Sequence, residues 1–274
     1  MMPSCRNKYL LILFNIIASA IIAAPILYAF SLSLMSSAEM SQYPPQLISN
    51  QPTFENYKKA LSMVPFGQFL INSSIVCILV TFGQIITCSL AAYAFAFFEF
   101  KGKKLLFIAV LATMMIPGEA TIVSNYLTVS SFGWNDSLKV LVIPFLTSAL
   151  GIFMIRQYYL TVPRDLEQAA AIDGCSKFLF LIKILMPISK PVMASLGIYA
   201  FINTWNQYMW PLLTINNPAK RTVQIGISML QFSEGKNYEV ILAGALMIII
   251  PSVIIFIIGQ KKLVDGMIAG AIKG

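Results

Sequence analysis

The sequence predicts an all-α integral membrane protein with six transmembrane helices. Composition is the first reason: 58% of the 274 residues are hydrophobic and 11% are charged, whereas a soluble domain has about 45–50% apolar and about 25% charged residues. The second reason is that the apolar residues gather into runs long enough to cross a bilayer, which takes about 20 residues. So few charges cannot cover a chain of this length in water, and lipid must therefore form part of its solvent.

Six apolar runs meet this length, and they cover approximately residues 10–32, 69–98, 105–127, 138–160, 192–213 and 240–258. The first run has an alternative interpretation as a cleaved signal peptide, because Arg6 and Lys8 precede it and Ala18-Ser19-Ala20 resembles a cleavage site. A signal peptide has a short apolar core followed by polar residues, whereas this run stays apolar well beyond that site. We therefore expect a retained helix and a single membrane domain over residues 1–274.

The placement of Lys and Arg predicts how the chain is oriented. With the N-terminus in the cytoplasm, 13 of the 19 Lys and Arg residues lie in segments that face the cytoplasm. Positive charges accumulate on that side of membrane proteins. We therefore expect both termini in the cytoplasm, the proline-containing segment 36–68 outside, and the segment 162–191 inside.

The remaining residue types argue against several classes of protein. The net charge is +8, but the basic residues are scattered among apolar runs, so we expect no nucleic-acid partner. Histidine is absent and the four cysteines show no C-x-x-C spacing, so we expect no metal, no cofactor and no disulfide. The sequence contains neither a nucleophile–base pair nor a G-x-x-x-x-G-K-[ST] phosphate loop, so we do not expect an enzyme.

The third predicted span contains an acid, Glu119, directly after Pro117-Gly118. An acid at the middle of a bilayer costs about 2.5–3.5 kcal/mol on insertion scales, so we expect Glu119 to face a water-filled cavity or to be paired. The proline and glycine favour a bent or broken helix, as transporters use near their sites. The alternative is a kink near the outer interface, where Glu119 is already hydrated. An ion-coupled secondary transporter, a different class, usually has several such residues within its spans.

The fifth predicted span carries amides within an apolar run. In a continuous helix Asn203, Asn206, Gln207 and Trp210 lie at positions i, i+3, i+4 and i+7, which is one face. Amides within a membrane seek partners in the bundle interior or in a wet cavity. This face is therefore a candidate wall of a substrate pathway. The alternative is that the amides bond to another helix while Trp210 lies in the aromatic belt near the outer surface.

The segment 162–191 predicts two short helices joined by a turn, between the fourth and fifth spans. Pro163 suits a first helical turn, Gly174 suits the backbone that ends a helix, and Ser176 can cap the next helix. Residues 169–171 are alanines, and such small side chains suit insertion into a groove on another protein. The alternative is an amphipathic connector that lies on lipid.

The residue string of this segment resembles the EAA loop found in permease subunits of binding-protein-dependent ABC importers. That loop has the pattern E-A-A-x-x-D-G, then nine residues, then I-x-L-P; here residues 168–174 match it and residues 184–187 follow at the same spacing. Gln168 stands where the family has Glu and Met186 where it has Leu, although an acid remains one position earlier. The resemblance implies that the segment docks into an ATPase subunit through Glu167, Gln168, Ala169, Ala170, Asp173 and Gly174.

The resemblance extends over nearly the whole chain. Residues 52–57, 156–159 and 266–274 are typical of the carbohydrate-uptake class of these permeases, and residues 205–212 are similar to its sn-glycerol-3-phosphate subgroup. The resemblance implies a subunit of the bacterial cytoplasmic (inner) membrane that forms half of a pore for glycerol-3-phosphate or a related glycerophosphodiester. A neutral sugar or oligosaccharide is the alternative substrate. The implied partners are membrane lipid, a second permease subunit, two ATP-binding cassette ATPase subunits and an extracytoplasmic substrate-binding protein.

Overall fold

The computed structural model describes residues 5–44, 46–234 and 237–271, and within these ranges the chain forms helices and loops without a β-strand. The α-helices are α1 (Cys5–Ser33), α2 (Ser37–Met40), α3 (Glu55–Met63), α4 (Phe66–Phe97), α5 (Lys103–Ala112), α6 (Gly118–Ser131), α7 (Leu138–Val142), α8 (Ala149–Tyr159), α9 (Arg164–Ile172), α10 (Lys177–Phe180), α11 (Met186–Ile188), α12 (Lys190–Trp205), α13 (Met209–Thr214), α14 (Val223–Glu234) and α15 (Tyr238–Ala271). Part of the predicted C-terminal motif, residues 272–274, lies outside the described residues.

Four helical stretches are long and apolar enough to cross a membrane: Tyr9–Ser33, Phe66–Phe97, Leu138–Tyr159 and Tyr238–Gln260. Two further pairs of helices have the same character but are bent, Lys103–Met115 with Gly118–Ser131 by 102° and Lys177–Ile188 with Lys190–Trp205 by 80°. The structure therefore confirms an all-α chain with several membrane helices. It has four candidate spans, or up to six if each bent pair crosses as one.

The chain divides into two compact units. One contains the residues up to Phe66 together with Gly226–Ile250, and the other contains Gly67–Ile225 together with the residues from Pro251 onward. The single membrane domain expected from the sequence stays a prediction. All the candidate site residues belong to the second unit, which is therefore described in more detail.

In the first unit, the segment 52–57 closes the C-terminal end of α1. Asn56 is buried, and its Nδ2 donates to the backbone oxygens of Ser33 and Met35, both at 2.8 Å. The hydroxyls of Tyr57 and Ser33 lie 2.8 Å apart. The last carbonyls of a helix have no partner within it, so these side chains supply partners that α1 lacks.

The loop after α1 is organised around one carboxylate, that of Glu39. It accepts hydrogen bonds from the backbone nitrogens of Ser36 and Asn50, each at 3.0 Å, and from the hydroxyl of Ser49 at 3.1 Å. The bond from the Ser36 nitrogen is the main cause that lowers the pKa of Glu39 below its ordinary value. The charged form is therefore favoured, because these donors all face it.

In the second unit, the predicted fourth span corresponds to the stretch Leu138–Tyr159, whose helix is interrupted in the middle. α7 ends at Val142, a single 3₁₀ turn covers Ile143–Phe145, and α8 begins only at Ala149. Pro144 lies in this interruption and has no N–H to donate to a helix. The backbone oxygens of the interruption therefore need partners from elsewhere in the protein.

Side chains of α4 provide those partners. They donate as follows: Gln84 Nε2 to the oxygen of Phe145 at 2.9 Å, Thr87 to that of Leu146, and Cys88 Sγ to that of Ser148 at 3.4 Å. The side chain of Leu146 also packs directly on the backbone of α4, because a Cβ built on Gly83 would lie 2.3 Å from a methyl carbon of Leu146. In lipid no water is available to satisfy a broken helix, so the polar groups on α4 make the interruption tolerable.

The N-terminal part of α4 is bonded to a different segment of the same unit. Asn72 Nδ2 donates to the backbone oxygens of Ala219 and Arg221, both at 2.9 Å. The backbone nitrogen of Val223 donates to the hydroxyl of Ser73 at 2.9 Å. This end of α4 is thereby attached to the connection between α13 and α14.

Candidate functional site

The segment that resembles a coupling loop has the predicted helix–turn–helix shape. α9 ends where Gly174 takes a φ of +77°, with its nitrogen 3.1 Å from the oxygen of Ala171. The nitrogen of Cys175 then donates to the oxygen of Ala170 at 2.8 Å, which completes a helix end of the kind that glycine permits. Ser176 caps α10 by accepting from the nitrogen of Leu179 at 3.3 Å.

One arginine ties the start of α9 to the end of α4. Arg164 Nη2 donates to the oxygen of Ala96 at 2.7 Å, and its Nη1 to that of Phe97 at 3.1 Å. Its guanidinium also lies over the Phe97 ring, 4.7 Å from the centroid. Arg164 is further paired with Glu167, with 3.5 Å between Nη1 and Oε2. The planar guanidinium can bind the two backbone oxygens and the Glu167 carboxylate together because it offers several donors in a fixed geometry.

Two other cations bind the neighbouring carbonyls of the same helix end. Arg156, from α8, donates through Nε to the oxygen of Phe95 at 3.1 Å. Lys103, from α5, donates through Nζ to the oxygen of Phe98 at 2.8 Å. We call this arrangement the α4 cap: Lys103, Arg156 and Arg164 on the backbone oxygens of residues 95–98. Cations are favourable here because the carbonyl end of a helix carries partial negative charge.

Aromatic packing supports the cap. The rings of Tyr93 and Phe180 lie 5.3 and 5.8 Å from that of Phe97, and the ring of Tyr159 lies 6.4 Å from it. The hydroxyl of Tyr93 also donates to the oxygen of Lys177 at 3.2 Å. Helices α4, α8 and α10 therefore meet in one core, and α9 is held against it by Arg164.

The predicted coupling residues divide between this core and the surface. Ala170 is buried within the core, and Glu167 is half-buried beside Arg164. The other four, which are Gln168, Ala169, Asp173 and Gly174, are exposed. Sequence reasoning missed Ile172, a large apolar side chain that is 86% exposed in the middle of this surface. The sequence could have indicated this exposure, because Ile172 directly precedes the turn formed by Asp173 and Gly174.

The face predicted for the fifth span is wrong as a single helical face. α12 ends at Trp205, with Asn206 at its C-cap, and α13 starts only at Met209. The i, i+3, i+4, i+7 spacing therefore does not place the four residues together. Trp210 is 8% exposed; its Nε1 donates to the oxygen of Val140 at 3.0 Å, and its ring packs against Phe145. Trp210 therefore packs within the second unit, and its depth in the membrane stays a prediction.

The amides near this break remain accessible. Asn203 and Asn206 are exposed and Gln207 is half-buried. Asn203 Nδ2 donates to the oxygen of Tyr199 at 2.9 Å, and Asn206 Oδ1 accepts from Gln224 at 3.4 Å. Each amide therefore keeps a hydrogen-bonding group for a further partner.

Glu119 lies at another break. It is exposed and stands in the first turn of α6, directly after the 102° bend that was expected from Pro117-Gly118. An acid in a first helical turn faces the positive end of the helix dipole. Within the described residues, no group of three His, Cys, Asp or Glu side chains is arranged to hold a metal ion.

Comparisons with known proteins identify what this arrangement is similar to. Residues 8–261 match the model of the family described as binding-protein-dependent transport system inner membrane component. The chain is 34% identical over 262 residues to the sn-glycerol-3-phosphate transport system permease protein UgpE of Rhizobium meliloti (strain 1021), covering 92% of this chain and 93% of that relative. It is 32% identical over 209 residues to the arabinooligosaccharides transport system permease protein AraQ of Bacillus subtilis (strain 168), covering 76% and 74%.

A solved structure shares the fold. It is the crystal structure of a bacterial ABC transporter involved in the import of the acidic polysaccharide alginate. The likeness has a TM-score of 0.84 at 22% identity and covers 95% of this chain and 99% of that chain.

The α4 cap generates a test by mutation. Replacing Arg164 by Ala removes two charge-assisted hydrogen bonds, and we expect the protein to lose about 1–3 kcal/mol of stability because such bonds are stronger than neutral ones. Thermal unfolding of the purified protein in detergent measures the loss. Lys183→Ala is the matched control, since Lys183 is an exposed cation of the same segment. Equal melting temperatures for the two variants would contradict the anchoring role of Arg164.

Proposed function

The chain belongs to the family of binding-protein-dependent transport system inner membrane components, and on that premise we propose that it forms half of the translocation pore of an ABC importer. The observation that carries the proposal is the match to UgpE, which extends over 92% of the chain and is not confined to one motif. The chain performs no chemistry itself. A second permease subunit completes the pore, two ATPase subunits supply the energy, and an extracytoplasmic binding protein delivers the substrate.

The helix–turn–helix of α9 and α10 is the proposed contact with the ATPase. Its surface combines small and polar side chains, Ala169 and Asp173 among them, with the exposed Ile172. Such a surface fits a groove on a partner better than it fits water. Movement of the ATPase would reach α9 first, and Arg164 connects α9 to the end of α4. The pore then alternates between openings to the two sides of the membrane.

The orientation of the proposed permease has both termini in the cytoplasm, with each bent helix pair counted as one of six spans. The charge distribution supports it, because 13 of the 19 Lys and Arg residues then lie on the cytoplasmic side. In this orientation α9 and the turn at Gly174 face the cytoplasm, where the ATPase subunits act, and α10 starts the bent pair that crosses as the fifth span.

The proposed substrate is glycerol-3-phosphate or a related glycerophosphodiester. The UgpE relatives support it by name and identity. The second candidate is a neutral oligosaccharide. The AraQ relative supports it, and so do the side chains of Asn203, Asn206 and Glu119. Amides such as Asn203 and Asn206 suit sugar hydroxyls, whereas the exposed carboxylate of Glu119 would repel a phosphate. If glycerol-3-phosphate is the substrate, the binding protein must supply most of the selectivity for its charge.

Uptake by whole cells separates the two substrates. Cells that carry this permease with its partner subunits are given labelled glycerol-3-phosphate, glycerophosphodiesters or arabino-oligosaccharides. We expect uptake of the phosphate compounds and its loss when the binding protein is omitted. Uptake of the oligosaccharides alone would overturn the proposed substrate, and uptake that persists without the ATPase subunits would overturn the proposed class of transporter.

The coupling role predicts that Gly174→Val impairs transport. A β-branched residue at a φ of +77° costs about 1–2 kcal/mol, so we expect the α9–α10 turn to be misplaced and uptake to fall by about tenfold. The matched control is Gly133→Val, since Gly133 has a φ of +67° with nothing near its missing Cβ, but lies outside the segment. Equal uptake by the two variants, at equal amounts in the membrane, would refute the coupling role.

The pathway role predicts that Asn206→Cys is accessible to water from the pore. In a variant without the native cysteines, we expect a bulky hydrophilic thiol reagent to label this position in either the resting or the ATP-trapped complex, and to block uptake. Thr204→Cys is the control, because Thr204 is buried two residues earlier. A cysteine at position 206 that resists labelling in both states would show that the amides pack against protein.

A further inference from the structure

A large cleft lies beside the α4 cap, where the end of α4, the start of α5 and α8 meet. Its volume is about 1030 Å³. Its lining includes the cations Lys103, Lys104 and Arg156 and the apolar side chains of Leu105, Ile108 and Leu111. The transport function proposed above uses none of this lining except the helix-capping bonds of Lys103 and Arg156.

The polar part of the lining carries an excess of positive charge. The lining contains three cations, Lys103, Lys104 and Arg156, and one carboxylate, that of Glu99. Lys103 already forms an ion pair with this carboxylate, with its Nζ 3.0 Å from Glu99 Oε1. Two cations are then left over. Lys104 is exposed and makes no polar contact within the described part of the chain. Its charge is therefore available to an anion.

Arg156 is held so that part of its guanidinium remains free. Its Nε is bonded to the oxygen of Phe95, and its plane lies over the Phe107 ring at 4.1 Å from the centroid. Its two terminal nitrogens have no hydrogen-bond acceptor among the residues that the structure describes. A guanidinium fixed by one nitrogen and by its face is pre-organised to bind a phosphate through the others.

The rest of the lining is apolar and follows the cations along α5. Leu105 and Ile108 are 71% and 52% exposed, and Leu111 lies one turn further on. At a rise of about 1.5 Å per residue, Ile108 and Leu111 lie about 6 and about 10 Å beyond Lys104 along the helix axis. Because α5 begins a helix pair that is apolar enough to enter a membrane, this order puts the cations at the membrane surface and the apolar side chains at the depth of acyl chains.

We propose that this cleft binds an anionic phospholipid. The phosphate contacts Lys104 and the terminal nitrogens of Arg156, and an acyl chain lies along Leu105, Ile108 and Leu111. Basic pockets between membrane helices bind anionic headgroups in this manner. Arg156 belongs to the α4 cap as well, so the lipid acts on the same helix end that holds α9. The proposal holds whichever solute the chain transports.

Native mass spectrometry of the purified assembly tests the charge of the site. Dioleoylphosphatidylglycerol is titrated in detergent against wild type, Lys104→Gln and Lys101→Gln. Lys101 is an exposed cation three residues away that does not line the cleft. We expect Lys104→Gln to weaken binding about fivefold, as the loss of one cation near a membrane surface implies, and Lys101→Gln to leave it unchanged. Equal weakening in both variants, or none in either, would overturn the site.

Photo-crosslinking in intact membranes identifies the occupant. A benzophenone amino acid replaces Ile108, and the mass of the crosslinked product is measured. We expect an adduct with the mass of a phospholipid, reduced by Lys104→Gln and unaffected by millimolar inorganic phosphate. An adduct with another protein chain would show that the cleft is a subunit interface, and it would overturn the proposal.

Discussion

The carbonyl end of α4 is the constraint on which its surroundings depend. A helix that ends near a membrane surface has backbone oxygens that lack partners, and burying them unsatisfied is costly. Here the oxygens of residues 95–98 receive donors from three cations that belong to three different elements. Lys103 positions the start of α5, Arg156 the last turn of α8, and Arg164 the start of α9. One requirement of hydrogen bonding therefore brings together the membrane helices, the proposed coupling segment and the lipid cleft.

The same requirement explains how the broken helices are tolerated. The interruption between α7 and α8 is paired by α4, and the last residues of α1 are paired by Asn56. These partners are distant in sequence, since Gln84 and Phe145 are 61 residues apart. In lipid the break could not be left to water. Polar side chains thus reach the irregular backbone at these two places.

Sequence reasoning succeeded where the signal was local. The apolar runs, the bend at Pro117, and the turn at Gly174 all follow from residues that act on their immediate neighbours. The family was also confirmed, because its long string of residues has few accidental matches. The breaks at residues 143–148 and 206–208 were missed, since a helical period assumes an unbroken helix. Trp210 was misplaced for that reason, and no spacing rule places its indole against Val140. The roles of the coupling residues remain predictions, because they depend on contacts with an ATPase subunit.

The length of α4 has a mechanical consequence. The helix has 32 residues and no proline, so it is continuous over about 48 Å. One end carries the cap, and near the other Asn72 is bonded to the connection between α13 and α14. A tilt of about 5° about the cap would sweep the far end of such a helix through about 4 Å. A change in tilt at the cap would in this way reach the connection between α13 and α14 without an intervening joint.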